Sequence, residues 1–327
     1  MAPWQATLTP AEYQLVFYFL TVAALALFAG LVRGIVTQSE VGSRFRPAVI
    51  ARLSITAVAT LTYLLLILTF ASAYRKTPGG YVPGDAAESL WSLRYMEWSV
   101  SVPLLCLELL AVCTVIGAGA RRTQFAAGGS AFAMIFTGFL GAIVINGGTD
   151  RATLLTFGAI SCVFWVLTNI ILIRAVRRSL PGVTPRAAGL MRSATILLLA
   201  GWVVYPAVFL IQVYGSGGGW AATMQIALCS ADVLVKIGFG TLIQRVAKLR
   251  TAEDVRAGDD VHPESIWISS EKQSDAGQPL EVHLARGAEV HPRQARPPMS
   301  AAVASTQPDV PPGADRVDVA DDDGLPL

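Results

Sequence analysis

Seven apolar stretches, each close to the length of about 20 residues that a helix needs to cross a bilayer, dominate this chain of 327 residues. With 53% hydrophobic and only 15% charged residues, the composition excludes an ordinary soluble domain. We therefore predict an all-α, multi-pass cell-membrane protein built as a bundle of seven transmembrane helices. The predicted spans are residues 11–34, 48–73, 90–117, 125–146, 151–174, 189–213 and 220–248.

Basic residues concentrate in three of the six loops. The first, third and fifth loops carry clusters of arginine, the second and fourth mix acidic with basic residues, and the sixth, YGSGGG, is uncharged. Short loops that are rich in Lys and Arg face the cytoplasm. Since seven helices place the termini on opposite sides, we predict that the N-terminus lies outside and the C-terminus in the cytoplasm.

The composition changes at about residue 251, where Pro, Asp, Arg, His and Ser replace the apolar residues. Such a segment cannot bury enough apolar surface to offset the entropy lost on ordering it. We therefore predict a membrane domain over residues 1–250 and a disordered cytoplasmic tail over residues 251–327.

The last span carries two charges in apolar surroundings, Asp232 and Lys236, and no other span contains a lysine. Their four-residue spacing places them one turn apart on one face of a helix. Charges inside a membrane are costly and usually serve a function. A lysine amine in an apolar pocket can condense with an aldehyde to a Schiff base, whose cationic form needs a carboxylate nearby. The alternative is an interhelical ion pair that only fixes packing.

The third span holds two acids, Glu97 and Glu108, eleven residues apart. Eleven residues make about three turns, so both carboxyl groups point the same way and lie roughly 16 Å apart along the axis. Arg94, one turn from Glu97, is placed to hold Glu97 and Asp232 ionised. Lys236 would then lie between the carboxylates of Glu97 and Asp232, with a third acid, Glu108, on the inner side. This is the arrangement of a one-way proton relay.

Neither a metal site nor a nucleic-acid surface is indicated. The four cysteines lie in apolar runs without ligand spacing, and all three histidines follow residue 260. There is no phosphate-binding loop, dinucleotide fingerprint or basic-aromatic surface. We expect protons and the lipid bilayer as partners, no bound metal and no nucleic acid.

Three segments together resemble one family. RYMEWSVSVPLL with the following Glu108, GWVVYPAVF and SADVLVKIGFG resemble the third, sixth and seventh helices of microbial (type 1) rhodopsins. The resemblance extends from residue 11 to about residue 249. It implies a seven-helix, microbial rhodopsin-like bundle that binds all-trans retinal on Lys236 as a protonated Schiff base.

The resemblance also implies a role for each charged side chain. Glu97 corresponds to the primary proton acceptor and counterion, and Glu108 to the cytoplasmic proton donor of proteorhodopsin-like and xanthorhodopsin-like pumps. Asp232 corresponds to the second counterion and Arg94 to the outer gate. Taken singly, aromatic residues in membrane helices are more often packing residues. The positions that correspond to the retinal contacts are Tyr63, Trp98, Ser101, Val102, Met134, Gly138, Ser161, Trp202, Tyr205, Pro206 and Phe209.

A glycine in the fifth span, Gly158 in FGAISC, suggests a second cofactor. Xanthorhodopsin-like pumps also have glycine there, and the gap admits the ring of a carotenoid antenna. Because glycine is common in membrane helices, plain packing is the alternative.

Together with the proton relay, the resemblance implies a light-driven outward proton pump, which is an ion transporter and not an enzyme, and which we expect to be a homo-oligomer. The alternative is a photosensory rhodopsin that signals through a partner protein; a donor carboxylate at Glu108 argues against it. A third interpretation, a receptor or transporter without retinal, requires that Lys236 bind no aldehyde.

Overall fold

Seven long helices form the membrane part of the chain in the computed structural model, which describes residues 2–115, 117–259, 262, 266–268 and 271–274. The predicted all-α bundle is confirmed. Helices α1 to α5 are Pro10–Val36, Arg46–Ala73, Ser89–Ala111, Gly117–Phe139 and Arg151–Ser179. Helix α6 consists of Pro185–Trp202 and Val204–Tyr214, and helix α7 begins as Gly218–Val233 and ends as Gly240–Ala257.

The outer surface of the bundle is apolar. Large side chains such as Leu25 and Val163 point outward and are 64% and 67% exposed. Over the described residues, six helices are long and apolar enough to cross a membrane. Helix α3 is not among these six; it carries Arg94, Glu97 and Glu108, which are all buried in the bundle. The protein is therefore an integral, multi-pass membrane protein in which these three charged side chains of α3 face inward.

Cap residues in the sequence explain where several helices begin. Thr9 accepts a hydrogen bond from the backbone N–H of Glu12, whose carboxylate accepts one from the Thr9 N–H at 2.7 Å. This reciprocal pair is followed by Pro10, a residue suited to the first turn of a helix. Asp150 and Thr184 cap α5 and α6 through their side chains in a similar way.

Three of the helices have an irregular backbone. A π-helical turn over Leu140–Val144 follows α4, and another over Leu234–Phe239 joins the two parts of α7. Helix α6 is interrupted at Val203, shortly before Pro206, which has no backbone N–H to donate. Such π turns occur frequently at functional sites. The second of them contains Lys236.

The helices differ from the predicted spans at several ends, among them the two ends that flank the third loop. Helix α3 ends at Ala111, not at residue 117, and α4 begins at Gly117, not at residue 125. Arg121 and Arg122, which were predicted in a loop, therefore lie on α4 with exposed side chains. A helix can begin before its apolar span when long charged side chains on its first turns reach water.

Regular structure continues past residue 250, the predicted end of the membrane domain. Helix α7 continues to Ala257, and strands β3 (Ile266–Ile268) and β4 (Glu271–Ser274) follow as an antiparallel pair. Ile268 packs against Ala187 and Leu249. This buried apolar contact explains why part of the polar segment has regular structure. The remaining residues of the predicted tail, 260–261, 263–265, 269–270 and 275–327, lie outside the described residues.

A short hairpin covers one end of the bundle. Strands β1 (Tyr74–Thr77) and β2 (Gly80–Pro83) pair antiparallel, at a site where the sequence has Gly and Pro turn signals. Leu8 and Tyr81 exchange two backbone hydrogen bonds, of 2.9 and 2.7 Å, and Tyr13 stacks on Tyr81 at 3.8 Å. We call this end the hairpin side, and the end where α7 finishes the C-terminal side.

The N-terminal segment, residues 2–9, lies across the hairpin side. Its residues Ala2, Trp4, Ala6 and Leu8 are all buried. The Trp4 ring packs 6.2 Å from the ring of Trp91 on α3. This segment and the β1–β2 hairpin together form the hairpin-side cover.

Candidate functional site

Four charged side chains meet in the interior of the bundle. Lys236 Nζ lies 2.8 Å from Glu97 Oε2 and 3.0 Å from Asp232 Oδ1. Arg94 Nη1 lies 3.7 Å from Asp232 Oδ2. Each of the four residues is at most 3% exposed. The two cations and two carboxylates balance in charge, as groups buried away from water must. The structure thus brings together four of the predicted site residues from α3 and α7.

The two carboxylates differ in their hydrogen bonds. Asp232 accepts from Tyr63 Oη at 2.8 Å, from Tyr205 Oη at 2.7 Å and from Trp98 Nε1 at 3.2 Å. Glu97 Oε1 has no hydrogen-bond partner among the described residues. An incoming proton needs a free lone pair, which Glu97 has and Asp232 has largely given up. Of the two, Glu97 is the better placed to accept a proton.

Arg94 is held in place by α7. Its Nε and Nη2 donate to Gln225 Oε1 at 3.1 and 2.8 Å, and Nη2 also lies 3.4 Å from Cys229 Sγ. Its Nη1 donates to Tyr63 Oη at 3.2 Å. The sequence analysis missed Gln225. The signal was its position seven residues, or two turns, before Asp232 on the same helix face.

A cavity of about 350 Å³ lies against the charged cluster. Its volume falls within the range of about 300 to 1,000 Å³ that is typical of small-molecule sites. Trp98 and Tyr205 line it and also hydrogen-bond Asp232, so the cavity adjoins the charges. The predicted retinal contacts that line it are Trp98, Val102, Met134, Gly138, Ser161, Trp202, Tyr205, Pro206 and Phe209.

Two of the predicted contacts are not wall residues. Tyr63 reaches Asp232 from α2, and Ser101 is fully buried one turn from Glu97 on α3. Lys236 itself does not line the cavity, because its amine is engaged by the two carboxylates.

The sequence analysis overlooked several aromatic wall residues. Trp91 and Tyr95 line the cavity together with Trp98, at helical spacings of four and three residues on α3, and Trp165 lines it from α5. The spacing on α3 was the available signal.

The residues present fit a retinal group. The wall is largely apolar and aromatic, which suits a conjugated hydrocarbon chain. A lysine amine with carboxylates around it is the donor set that a covalently bound aldehyde requires. Gly138 adds no side chain to this wall, where a Cβ built on it would touch Ser161 Oγ and Tyr95 Cε1, both at 3.5 Å.

The cavity reaches the lipid-facing surface between α5 and α6. Leu155 and Leu210 line it and are 42% and 50% exposed. Gly158 lies on this wall, half-buried, and a Cβ built on it would lie 2.7 Å from Phe209 Cε1. The Phe209 ring therefore stands directly over the space that a side chain at position 158 would need.

Glu108 lies apart from the four-charge cluster, towards the C-terminal side of α3. It is 1% exposed, and neither carboxylate oxygen has a hydrogen-bond partner among the described residues. Arg52 of α2 is its neighbour: a Cβ built on Gly240 would lie 3.2 Å from Arg52 Cδ and 3.5 Å from Glu108 Oε1. The sequence analysis used Arg52 only for orientation. Its position inside the second apolar span was the signal of a buried charge.

Comparison with known proteins identifies one family over most of the membrane part of the chain. The profile of the family described as "Bacteriorhodopsin-like protein" matches residues 14–249. The chain is 30% identical over 167 residues to bacteriorhodopsin from Haloterrigena sp. (strain arg-4), a match that covers 49% of this chain and 61% of that protein. The chain thus spans less than two thirds of the length of this relative. It is 24% identical over 243 residues to green-light absorbing proteorhodopsin from Gamma-proteobacterium EBAC31A08, covering 73% of this chain and 88% of that protein.

Solved structures with the same architecture include a thermophilic rhodopsin, at 25% identity and a TM-score of 0.69. Another is xanthorhodopsin, described as a light-driven ion pump with dual chromophore, at 26% identity and a TM-score of 0.66. Each match covers 76% of this chain and 98% of the other.

Proposed function

Because this chain belongs to the bacteriorhodopsin-like family, we propose that it is a light-driven outward proton pump that carries retinal on Lys236. The family consists of light-driven retinal proteins that act as transporters or sensors and not as classical enzymes. The observation that carries the proposal is the 2.8 Å contact between Lys236 Nζ and a carboxylate, Glu97, that keeps one oxygen free. The homo-oligomer expected from the sequence stays a prediction.

Retinal on Lys236 would supply the absorption of visible light and a light-driven change of shape beside the amine nitrogen. The aromatic wall residues, among them Trp98, Trp202 and Tyr205, would hold it and exclude water from that nitrogen. The two carboxylates keep the nitrogen protonated in the dark by balancing its charge.

Glu97 accepts the proton in this proposal. Its Oε2 is already at hydrogen-bond distance from Lys236 Nζ, as direct transfer requires. Transfer leaves Glu97 and the Lys236 nitrogen neutral, while Asp232 and Arg94 remain as a balanced pair. Asp232, held by three side-chain donors, stays in place as a fixed counterion.

The direction of transport follows from the order of the acids along α3. Glu97 lies towards the hairpin side, with Arg94 beyond it, and Glu108 lies towards the C-terminal side. Under the predicted orientation, the hairpin side faces outward. A proton released from Glu97 past Arg94 leaves the cell, and Glu108 returns one to Lys236 from the cytoplasm.

Illumination of cells that express the protein with retinal is expected to acidify the medium. A protonophore should abolish this pH change, since it removes the gradient without affecting light absorption. The pH of a lightly buffered suspension measures both effects. A photosensory receptor, the alternative, would show a light-driven spectral change with no net acidification. That result would refute the proposed pump.

A carotenoid antenna is a second proposal, favoured by the lipid-facing side of the cavity between α5 and α6, where Gly158 lies on the wall. Carotenoid added to the purified, retinal-loaded protein is expected to show induced circular dichroism and energy transfer to retinal. Gly158→Trp should abolish both, because the new side chain would displace the Phe209 ring and occupy the lipid-facing side of the cavity. Gly129→Trp is the matched control, since nothing lies within 4 Å of a Cβ built there. Absence of both signals in the unchanged protein would refute the antenna.

A further inference from the structure

Arg94 makes its shortest contact with a neutral side chain, although a carboxylate is buried beside it. Its Nε and Nη2 donate to Gln225 Oε1 at 3.1 and 2.8 Å, whereas its Nη1 lies 3.7 Å from Asp232 Oδ2. An arginine that pairs with a carboxylate frequently does so through two parallel N–H···O bonds. The amide of Gln225 therefore takes donors that such a pair with Asp232 would need.

The position of Gln225 on α7 explains this arrangement. Gln225 lies two turns before Asp232 on the same helix face, towards the hairpin side, and Cys229 lies between them. Cys229 Sγ is 3.4 Å from Arg94 Nη2. Arg94 is 1% and Gln225 6% exposed, so the guanidinium N–H groups have little access to water and need acceptors in the protein. These acceptors hold the guanidinium on the hairpin side of Asp232.

A phenol also separates the guanidinium from Asp232. Tyr63 Oη accepts from Arg94 Nη1 at 3.2 Å and donates to Asp232 Oδ2 at 2.8 Å. The cation that lies nearer to Asp232 is Lys236, whose Nζ is 3.0 Å from Oδ1. Because the attraction between two charges falls with their distance, the charge of Asp232 acts more strongly on Lys236 than on Arg94.

We propose that Gln225 is a positioning residue that holds Arg94 away from Asp232 and so keeps the charge of Asp232 directed at the Lys236 nitrogen. This inference rests on the function proposed above, in which that nitrogen carries retinal. Carboxylates close to a cationic nitrogen stabilise positive charge there, and absorption of light moves this charge along the conjugated chain. The hydrogen bonds between Gln225 and Arg94 thus contribute to setting the wavelength that the protein absorbs.

The absorption maximum of the retinal-loaded protein in the dark tests this role. Gln225→Leu is similar in size but has no acceptor, and a buried guanidinium that loses its acceptors is expected to turn to the carboxylate of Asp232. Asp232 would then be shared between two cations, so we expect a shift to longer wavelength. Gln225→Glu, which keeps an oxygen acceptor at this position, should restore the maximum towards that of the unchanged protein.

Gln244→Leu is the matched control. Gln244 is also a buried glutamine of α7, but it lies on the C-terminal side, where its Nε2 donates to Thr37 Oγ1. Its loss should leave the absorption maximum unchanged. An unshifted maximum in Gln225→Leu would overturn the inference. An equal shift in Gln244→Leu would overturn it as well, because the effect would then not belong to the contact with Arg94.

Solid-state NMR of the full chain without retinal gives a second readout. We label the arginine guanidinium nitrogens with ¹⁵N and the side-chain carbonyl carbons of Gln and Asp with ¹³C. The background is Arg44→Gln, which removes the exposed contact of Arg44 with Asp254. We expect one glutamine carbonyl within about 4 Å of a guanidinium nitrogen. Gln225→Leu should abolish this contact and produce one with an aspartate carboxyl, that of Asp232.

This measurement needs neither light nor retinal, so it separates the inference from the proposed pump. Absence of the contact between glutamine and arginine before Gln225 is replaced would overturn the inference, even if Gln225→Leu does not fold. If the contact is present but the protein binds no retinal, the proposed function fails while the hold of Gln225 on Arg94 stands. If the protein pumps but its colour does not respond to Gln225→Leu, the pump stands and the inference fails.

Discussion

Lys236→Ala is expected to give a protein that binds no retinal covalently and shows no visible absorption band. Alanine has no amine to condense with an aldehyde, and Lys236 is the lysine that contacts Glu97 and Asp232 inside the bundle. The loss of colour should be complete. A visible spectrum recorded after addition of retinal, with and without hydroxylamine, measures it.

The same substitution also removes one of two cations that balance two buried carboxylates. Breaking such a pair costs about 3–5 kcal/mol, so Lys236→Ala should also be less stable. Lys236→Arg separates the two effects: it keeps a positive charge beside Glu97 and Asp232 but provides no amine that condenses. It should be colourless and more stable than the alanine variant. A coloured, light-responsive Lys236→Ala protein would remove the basis of the proposed function.

Glu97→Gln is expected to lower the initial rate of light-driven acidification by at least about a hundredfold. Glutamine matches glutamate in size but cannot take the proton that the Lys236 nitrogen releases. Asp232 still balances that nitrogen at 3.0 Å, so a coloured protein should remain. The pH of an illuminated suspension measures the rate, normalised to the amount of pigment.

Two further variants test whether this effect belongs to the acceptor position. Glu88→Gln makes the same chemical change at an exposed site on the hairpin side and should pump normally. Glu108→Gln leaves the acceptor intact, so the first transfer should occur and only the return of the proton should slow. Acidification by Glu97→Gln at the rate of the unchanged protein would show that Glu97 is not the acceptor.

The helices and the pairing of Asp232 with Lys236 were predictable because both depend on local spacing. Lipid restricts apolar segments of this length to helices, and a separation of four residues sets two side chains on one face. The hairpin likewise forms at a local signal, the Gly and Pro residues around Gly80.

Other features depend on which helices are neighbours, and spacing within one segment does not give that. Arg52 lies near Glu108 because α2 packs beside α3. Arg94 donates a hydrogen bond to Gln225 because α7 packs beside α3. The π turn around Lys236 was not visible either, because an apolar run has the same composition whether its hydrogen bonds skip four residues or five.

The hairpin-side cover has a consequence for the order of assembly. Its two halves meet through Leu8 and Tyr81, which are joined by the whole of the first two membrane helices. In membranes, helices insert first and then associate, so α1 and α2 must already stand side by side before these residues can pair. The contact between the two halves of the hairpin-side cover therefore forms late, and its formation closes a loop that contains both helices. Until α1 and α2 associate, the hairpin side of the bundle stays uncovered and accessible to water.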